Sequence, residues 1–319
     1  MFNFILPIFS LFALYYHQAN GAALTATTCL IQTERITCNG PTITDGSLLL
    51  LKDELHLRYN HMYFLELFIS DSAVTRINSG TFADVQFENV YIQDNQHLTY
   101  IAPDAFTKQN TKSLLIINNP LLKNNSIYQL TNQLQVTEYV DFDFNALVEV
   151  PPYAFNDQLE NNLPRQPVEK ISNNQPTKAT FKKLVLSNNK IEKISSNAFH
   201  LLESCNEIYL NQNRLKYIST RGFNLANSRP NPTNLRIMLN QNQLTSNSFE
   251  NDFISLKDNI NLFVDLSKNN IIELKEGIFR PLLEKNIMID FSSNPLNCQS
   301  IDWLQKDVKL MAKTKGIHC

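Results

Sequence analysis

Five cysteines and six histidines are the residues of this 319-residue chain best suited to covalent or metal chemistry. The histidines are dispersed. His56, His61, His97, His200 and His318 are scattered over different repeats and caps, His17 lies in an apolar leader, and none is paired with a cysteine or serine at repeat-compatible spacing. No C-x-x-C and no cysteine–histidine cluster is present, so a zinc site lacks its ligand set. The 7 glycines form no phosphate-cradling loop and no G-x-S-x-G elbow. With 28 basic against 30 acidic residues, the chain also lacks the positive excess expected of a nucleic-acid binder. The expectation is a non-enzyme that needs no cofactor or metal. Cysteines at the two ends, Cys29 and Cys38 then Cys298 and Cys319, instead suit disulfides in an oxidising compartment.

Asparagine is the abundant type, with 40 residues, and its spacing reveals the elements. In FKKLVLSNNKIEKISSNAF (181–199), Leu184, Leu186, Ile191 and Ile194 are spaced around Asn189, and Phe199 closes the unit. Close copies place Asn213, Asn145 and Asn95 in the same slot, and weaker ones place Asn119, Asn242, Asn269 and Asn294 there. Ser72 occupies the slot in the first copy. Most steps are 23–29 residues, the period of a leucine-rich repeat. The fold expected is an α/β solenoid, a leucine-rich repeat horseshoe with a parallel concave sheet and disulfide-bonded N- and C-terminal caps. Nine repeats should span 64–294. Each slot asparagine should be structural, satisfying backbone groups where the chain leaves the strand. Phe82, Phe106, Phe155, Phe199, Phe223 and Phe279 recur where they could stack as a convex spine. The step from Asn145 to Asn189 is 44 residues, and its excess, 156–178, is polar and proline-punctuated. It reads as a mobile convex-side loop rather than a tenth repeat.

Ahead of the array, FILPIFSLFALYY (4–16) has the length of a signal-peptide apolar core and is short for a membrane span. Small residues at Ala19 and Gly21 put cleavage at or just after Gly21, giving a leader at 1–21 and an N-terminal cap at 22–63. The product should be secreted and extracellular, without a membrane span. The tail, 295–319, resembles a shortened version of the cysteine-containing C-terminal cap of extracellular leucine-rich repeat proteins. One usual bridge is missing with both its partners. That resemblance implies Cys298–Cys319, and with Cys29–Cys38 it leaves Cys205 as a buried structural thiol in the slot that Phe181 fills one repeat earlier. Trp303 stands where the cap tryptophan covers the core.

The runs GTFADVQFENVYIQDNQHLTYIAPDAF (80–106) and LRIMLNQNQLTSNSF (235–249) resemble secreted arthropod leucine-rich repeat proteins, the non-catalytic subunits of Oplophorus-luciferin 2-monooxygenase. The likeness extends over nearly the whole chain after the leader, departing at 156–178 and in the shortened tail. It implies secretion and a scaffold that accompanies a separate catalytic chain.

On each strand the residue between the two core positions should point out of the concave face. That column reads Phe68, Tyr91, Leu115, Asp141, Val185, Tyr209, Met238, Asp265 and Asp290, with Ile117, Asp143, Tyr139 and Phe263 beside it. Exposed apolar side chains in a row tend to mark interaction sites, although they also strengthen neighbouring strand pairs. The candidate ligand-binding residues are Phe68, Tyr91, Leu115, Ile117, Tyr139, Asp141, Asp143 and Tyr209. The acidic pair would set charge preference. The reading is a protein (or glycan) binder, or alternatively the accessory subunit of a secreted enzyme complex. Asn124, in NNS, is the expected N-glycosylation site.

Overall fold

The computed structural model describes residues 29–59, 62–155, 180–200, 202, 204–225, 234–256, 260–285 and 287–318. The proposed leader, the 156–178 segment, His61 and Cys319 lie outside them. Alternation of buried and outward residues makes each repeat open with a strand, and the strands join into a 12-stranded sheet whose spatial order is the chain order. Its members are β1 (Leu30–Ile31), β2 (Arg35–Asn39), β3 (Tyr63–Ser70), β4 (Gln86–Gln93), β5 (Ser113–Ile117) and β6 (Tyr139–Asp141). They continue as β7 (Lys183–Val185), β8 (Glu207–Tyr209), β9 (Asn234–Met238), β10 (Asn261–Asp265), β11 (Ile287–Asp290) and β12 (Thr314–Lys315). All neighbours pair in parallel except β1 and β2, which form an antiparallel hairpin bridged by Cys29–Cys38. The molecule is a leucine-rich repeat solenoid with a disulfide-closed N-terminal cap.

The core runs along the whole array, because one repeat cannot bury its apolar side alone. Leu184, Leu186, Ile191 and Ile194 are fully buried, as are their counterparts Ile208, Leu210, Leu215 and Ile218. The slot asparagines Asn95, Asn119, Asn145, Asn189, Asn213, Asn242 and Asn269 are buried, and Asn294 is half-buried. Each carboxamide nitrogen donates to strand-end carbonyls; that of Asn213 reaches Leu186 O at 2.8 Å and Leu210 O at 3.0 Å. Asn95 Oδ1 accepts from the hydroxyl of Ser72 at 2.6 Å, so serine can hold the slot in the first repeat.

The convex aromatics pack in three runs. Phe82 stacks on Phe106, Phe155 on Phe199 and Phe199 on Phe223, while Phe279 contacts Phe249 and Phe291. Repeat three lacks the Ala-Phe ending, and there a short helix, α1 (Ile127–Gln133), supplies the fully buried Tyr128, edge-on to Phe155. Its hydroxyl donates to Glu149 O at 3.0 Å. At the C-terminus, Trp303 packs partly buried on the core and donates its indole N–H to Leu274 O at 2.9 Å. Cys298 is disulfide-bonded. Cys205 is a buried thiol, and its S–H donates to Glu207 O.

Candidate functional site

The outward column forms one in-register ladder. Phe68 pairs with Tyr91, Tyr91 with Leu115, Leu115 with Asp141, Asp141 with Val185 and Val185 with Tyr209. Tyr209 pairs with Met238, Met238 with Asp265 and Asp265 with Asp290. The caps lengthen it beyond the repeats: Leu30 and Thr37 precede Phe68, and Lys315 follows Asp290.

Over β3–β5 the ladder is apolar. The Phe68 and Tyr91 rings stack with centroids 4.4 Å apart and planes at 9°. The Arg35 guanidinium covers the other side of Phe68 at 5.1 Å, and its Nε donates to Glu66 at 2.7 Å. Leu30, 58% exposed, ends this band at the edge strand.

From β6 onward polar groups pair among themselves. The Tyr139 hydroxyl donates to Asp141 Oδ2 at 2.5 Å, while Asp141 Oδ1 accepts the Asp143 N–H at 3.0 Å. Burial raises the Asp141 carboxyl above its ordinary value, opposed by these hydrogen bonds and the Lys183 charge. Only 8% exposed, Asp141 is therefore not a displayed acidic contact, contrary to its expected role: its neighbour Tyr139 covers it. Val185 is likewise buried. The Lys183 ammonium lies between the Tyr139 and Tyr209 rings at 5.3 and 4.9 Å, and the Tyr209 hydroxyl donates to Glu207 at 3.1 Å.

The recurring ladder aspartates do a local job. Asp265 accepts the Ser267 N–H and Asp290 the Ser292 N–H, each at 2.9 Å, as Asp141 does for Asp143. These are Asx turns that finish the strand, with an aspartate receiving the amide two residues on. The pattern D-x-[SD] at 141, 265 and 290 carries that signal in the sequence, and reading the aspartates only as surface charge misses it.

Asp143 differs. It is half-buried, and its oxygens accept from the Asn188 amide at 3.1 and 3.2 Å and, at Oδ1, from the Phe144 N–H at 3.0 Å. Desolvation pushes its carboxyl up to about 6, Asn188 lowers it, and Asp141 raises it further. Phe144 itself was not among the expected residues. After the strand, each repeat has one residue in the left-handed region: Asp71, Asp94, Asn118, Asn188, Gln212, Gln241, Lys268 and Ser293 in eight of them, and Phe144 (φ 53°) in the other. A bulky residue is disfavoured there, and this one leaves its ring 52% exposed. Among the described residues, no group of three or more His, Cys, Asp or Glu could hold a metal ion, and no helix is long and apolar enough to cross a membrane.

No family model matches the chain. It is similar to the Oplophorus-luciferin 2-monooxygenase non-catalytic subunit of Oplophorus gracilirostris, 22% identical over 258 residues, which cover 79% of this chain and 69% of that one. Among solved structures it is similar to a chain of the octameric complex of Latrophilin 3 (Lec, Olf), Unc5D (Ig, Ig2, TSP1) and FLRT2 (LRR). There the TM-score is 0.53 at 17% identity, over 94% of this chain and 89% of that one. A chain of the TLR13-ssRNA13 complex matches with a TM-score of 0.44 and 17% identity, over 72% of this chain and about a third (32%) of that one.

Proposed function

We propose that this chain is a secreted, non-enzymatic binding protein whose concave face recognises a protein partner, anchored by Phe68, Tyr91 and Leu115. The observation that supports it is the uncharged, in-register run of outward apolar side chains over β3–β5, where three neighbouring strands in succession carry an apolar residue on the ladder. The multi-protein complex that contains the FLRT2 leucine-rich repeats is consistent with such a role for this fold. The likeness to a non-catalytic subunit favours a second reading, an accessory chain that stabilises a secreted enzyme. Pull-down from native secretions tests both. A Tyr91→Ala, Leu115→Ala variant should lose the co-purifying chain while remaining folded, and full retention would move the site off this face. A stoichiometric enzyme among the captured chains would select the accessory reading.

Asn124 is proposed to carry an N-glycan on the convex side, where its side-chain amide approaches Ile101 O at 3.4 Å. Glycosidase treatment should lower the mass of secreted material. An unchanged mass would leave Asn124 as only a turn residue, its Oδ1 accepting the Ser126 N–H at 3.0 Å.

A further inference from the structure

We infer that the partner is a polypeptide segment that presents a basic side chain to Asp143 and adjoining apolar side chains to Phe144, Ile117 and Leu115. This rests on the concave-face reading and specifies its chemistry. Three observations carry it.

The first separates polypeptide from glycan. A sugar stacks on an open aromatic face, but both faces of Phe68 are taken, by Arg35 and by Tyr91. Tyr91 gives one face to Phe68, and its register partner on the next strand is Leu115. What the band offers is ring edges and aliphatic surface, which suit the aliphatic or aromatic side chains of a peptide.

The second is the extent of the band. Ile117 ends β5, and the next residue, Asn118, donates its N–H to Asp143 O at 3.1 Å. The strand-end turns of repeats three and four therefore lie side by side, and Phe144, next to Asp143 in the second of them, leaves its ring 52% exposed. Eight other repeats fill the Phe144 slot with polar residues, most of them suited to a left-handed backbone. Folding would be served equally well by asparagine, so the half-exposed ring has no evident structural task.

The third is charge. Glu66 and Glu88, the acidic residues of β3–β5, are matched by Arg35 and Lys112. Asp141 is buried with Tyr139 over it and has Lys183 nearby. Asp143 has neutral donors, Asn188 and the Phe144 amide, and the ion pairs of the described residues do not include it. A partly desolvated carboxylate that no cation of the described residues pairs with, at the end of an apolar band, is complementary to lysine or arginine next to apolar residues.

The test is selection of a random-peptide phage library on the immobilised secreted protein, followed by fluorescence anisotropy with the enriched peptides. Enriched sequences should carry lysine or arginine beside aliphatic or aromatic residues. Asp143→Asn and Phe144→Asn should each weaken their binding about tenfold or more. Both variants should fold, because asparagine at 143 keeps an acceptor for the Phe144 amide and asparagine at 144 suits the backbone; their melting temperatures check this. Failure to enrich peptides, enrichment of acidic ones, or unchanged affinity in Asp143→Asn would overturn the inference. If Tyr91→Ala, Leu115→Ala abolishes binding while the 143 and 144 variants do not, the concave-face reading stands and this inference falls. If none of these variants matters, both fall.

Discussion

The solenoid uses its asparagine slot in two ways, divided at the long step between Asn145 and Asn189. Before it, each carboxamide oxygen receives the amide N–H of the preceding slot residue: Ser72 to Asn95, Asn95 to Asn119, and Asn119 to Asn145. The side chains also bond to each other there, Asn95 Nδ2 to Asn119 Oδ1 at 3.1 Å and Asn119 Nδ2 to Asn145 Oδ1 at 3.2 Å. Beyond it, the oxygen receives the N–H two residues after the preceding slot, as in Ile191 to Asn213 and Leu215 to Asn242. The concave surface changes at nearly the same place, from an apolar band to self-paired polar groups with apolar residues such as Met238 and Met288 among them. One core solution thus carries two different networks. The outward positions, which folding constrains less, are where the halves are free to specialise.

The comparison is tested most severely by the asparagines themselves. Asn119→Ala and Asn213→Ala should both lower the melting temperature strongly, since each strands several buried backbone groups at about 1–3 kcal/mol apiece. An unaffected melting temperature for either would mean that the slot is not structural in that half. A double-mutant cycle then separates the halves. Asn95→Ala with Asn119→Ala should show coupling on the order of 0.5–3 kcal/mol, because the side chains bond directly. Asn213→Ala with Asn242→Ala should couple less, as the two share only the Leu210 carbonyl. Equal coupling would erase the distinction.

A smaller effect concerns the surface. Asp290→Ala removes the acceptor for the Ser292 amide and should cost about 1 kcal/mol in chemical denaturation, with no change in partner binding. Loss of binding there would shift the site toward the C-terminal half.

The smallest effect is in pH. The Asp143 carboxyl titrates near 6 in the folded chain and near 4 when unfolded, so the folded state binds the proton more tightly. Its contribution should therefore make the protein more stable as pH falls from about 7 to 4, and Asp143→Asn should remove that part of the profile. An identical pH profile for the variant would show that burial of this carboxylate is negligible.

Much of the architecture was legible in the sequence. The strand positions around Asn189 and Asn213 could be read because burial imposes alternation on each strand and an acceptor-donor amide at each turn. The same alternation put Phe68, Tyr91 and Leu115 in one column. The aspartates were legible only by type. Whether Asp141 is displayed or covered depends on Tyr139, two residues away on the same strand, and on Lys183 from the next repeat. Tyr128 escaped because its repeat lacks the Ala-Phe ending, and a helix delivers the ring to the same layer. Gly316 is a comparable case. Its φ of 73° and the close approach of Ser292 leave no room for a side chain, which nothing in the local sequence announces.

The sequence by itself determined the period, the core-facing residues and the outward column, because each depends on short-range alternation that any copy of the repeat must satisfy. Only the tertiary structure decided which outward groups remain available. Pairing between repeats put Arg35 and Tyr91 on the two faces of Phe68 and gave Asp143 the neutral amide of Asn188 as a partner. Those outcomes depend on side chains tens of residues apart meeting at the spacing of adjacent strands, a distance that the stacking of repeats sets and the one-dimensional pattern does not contain.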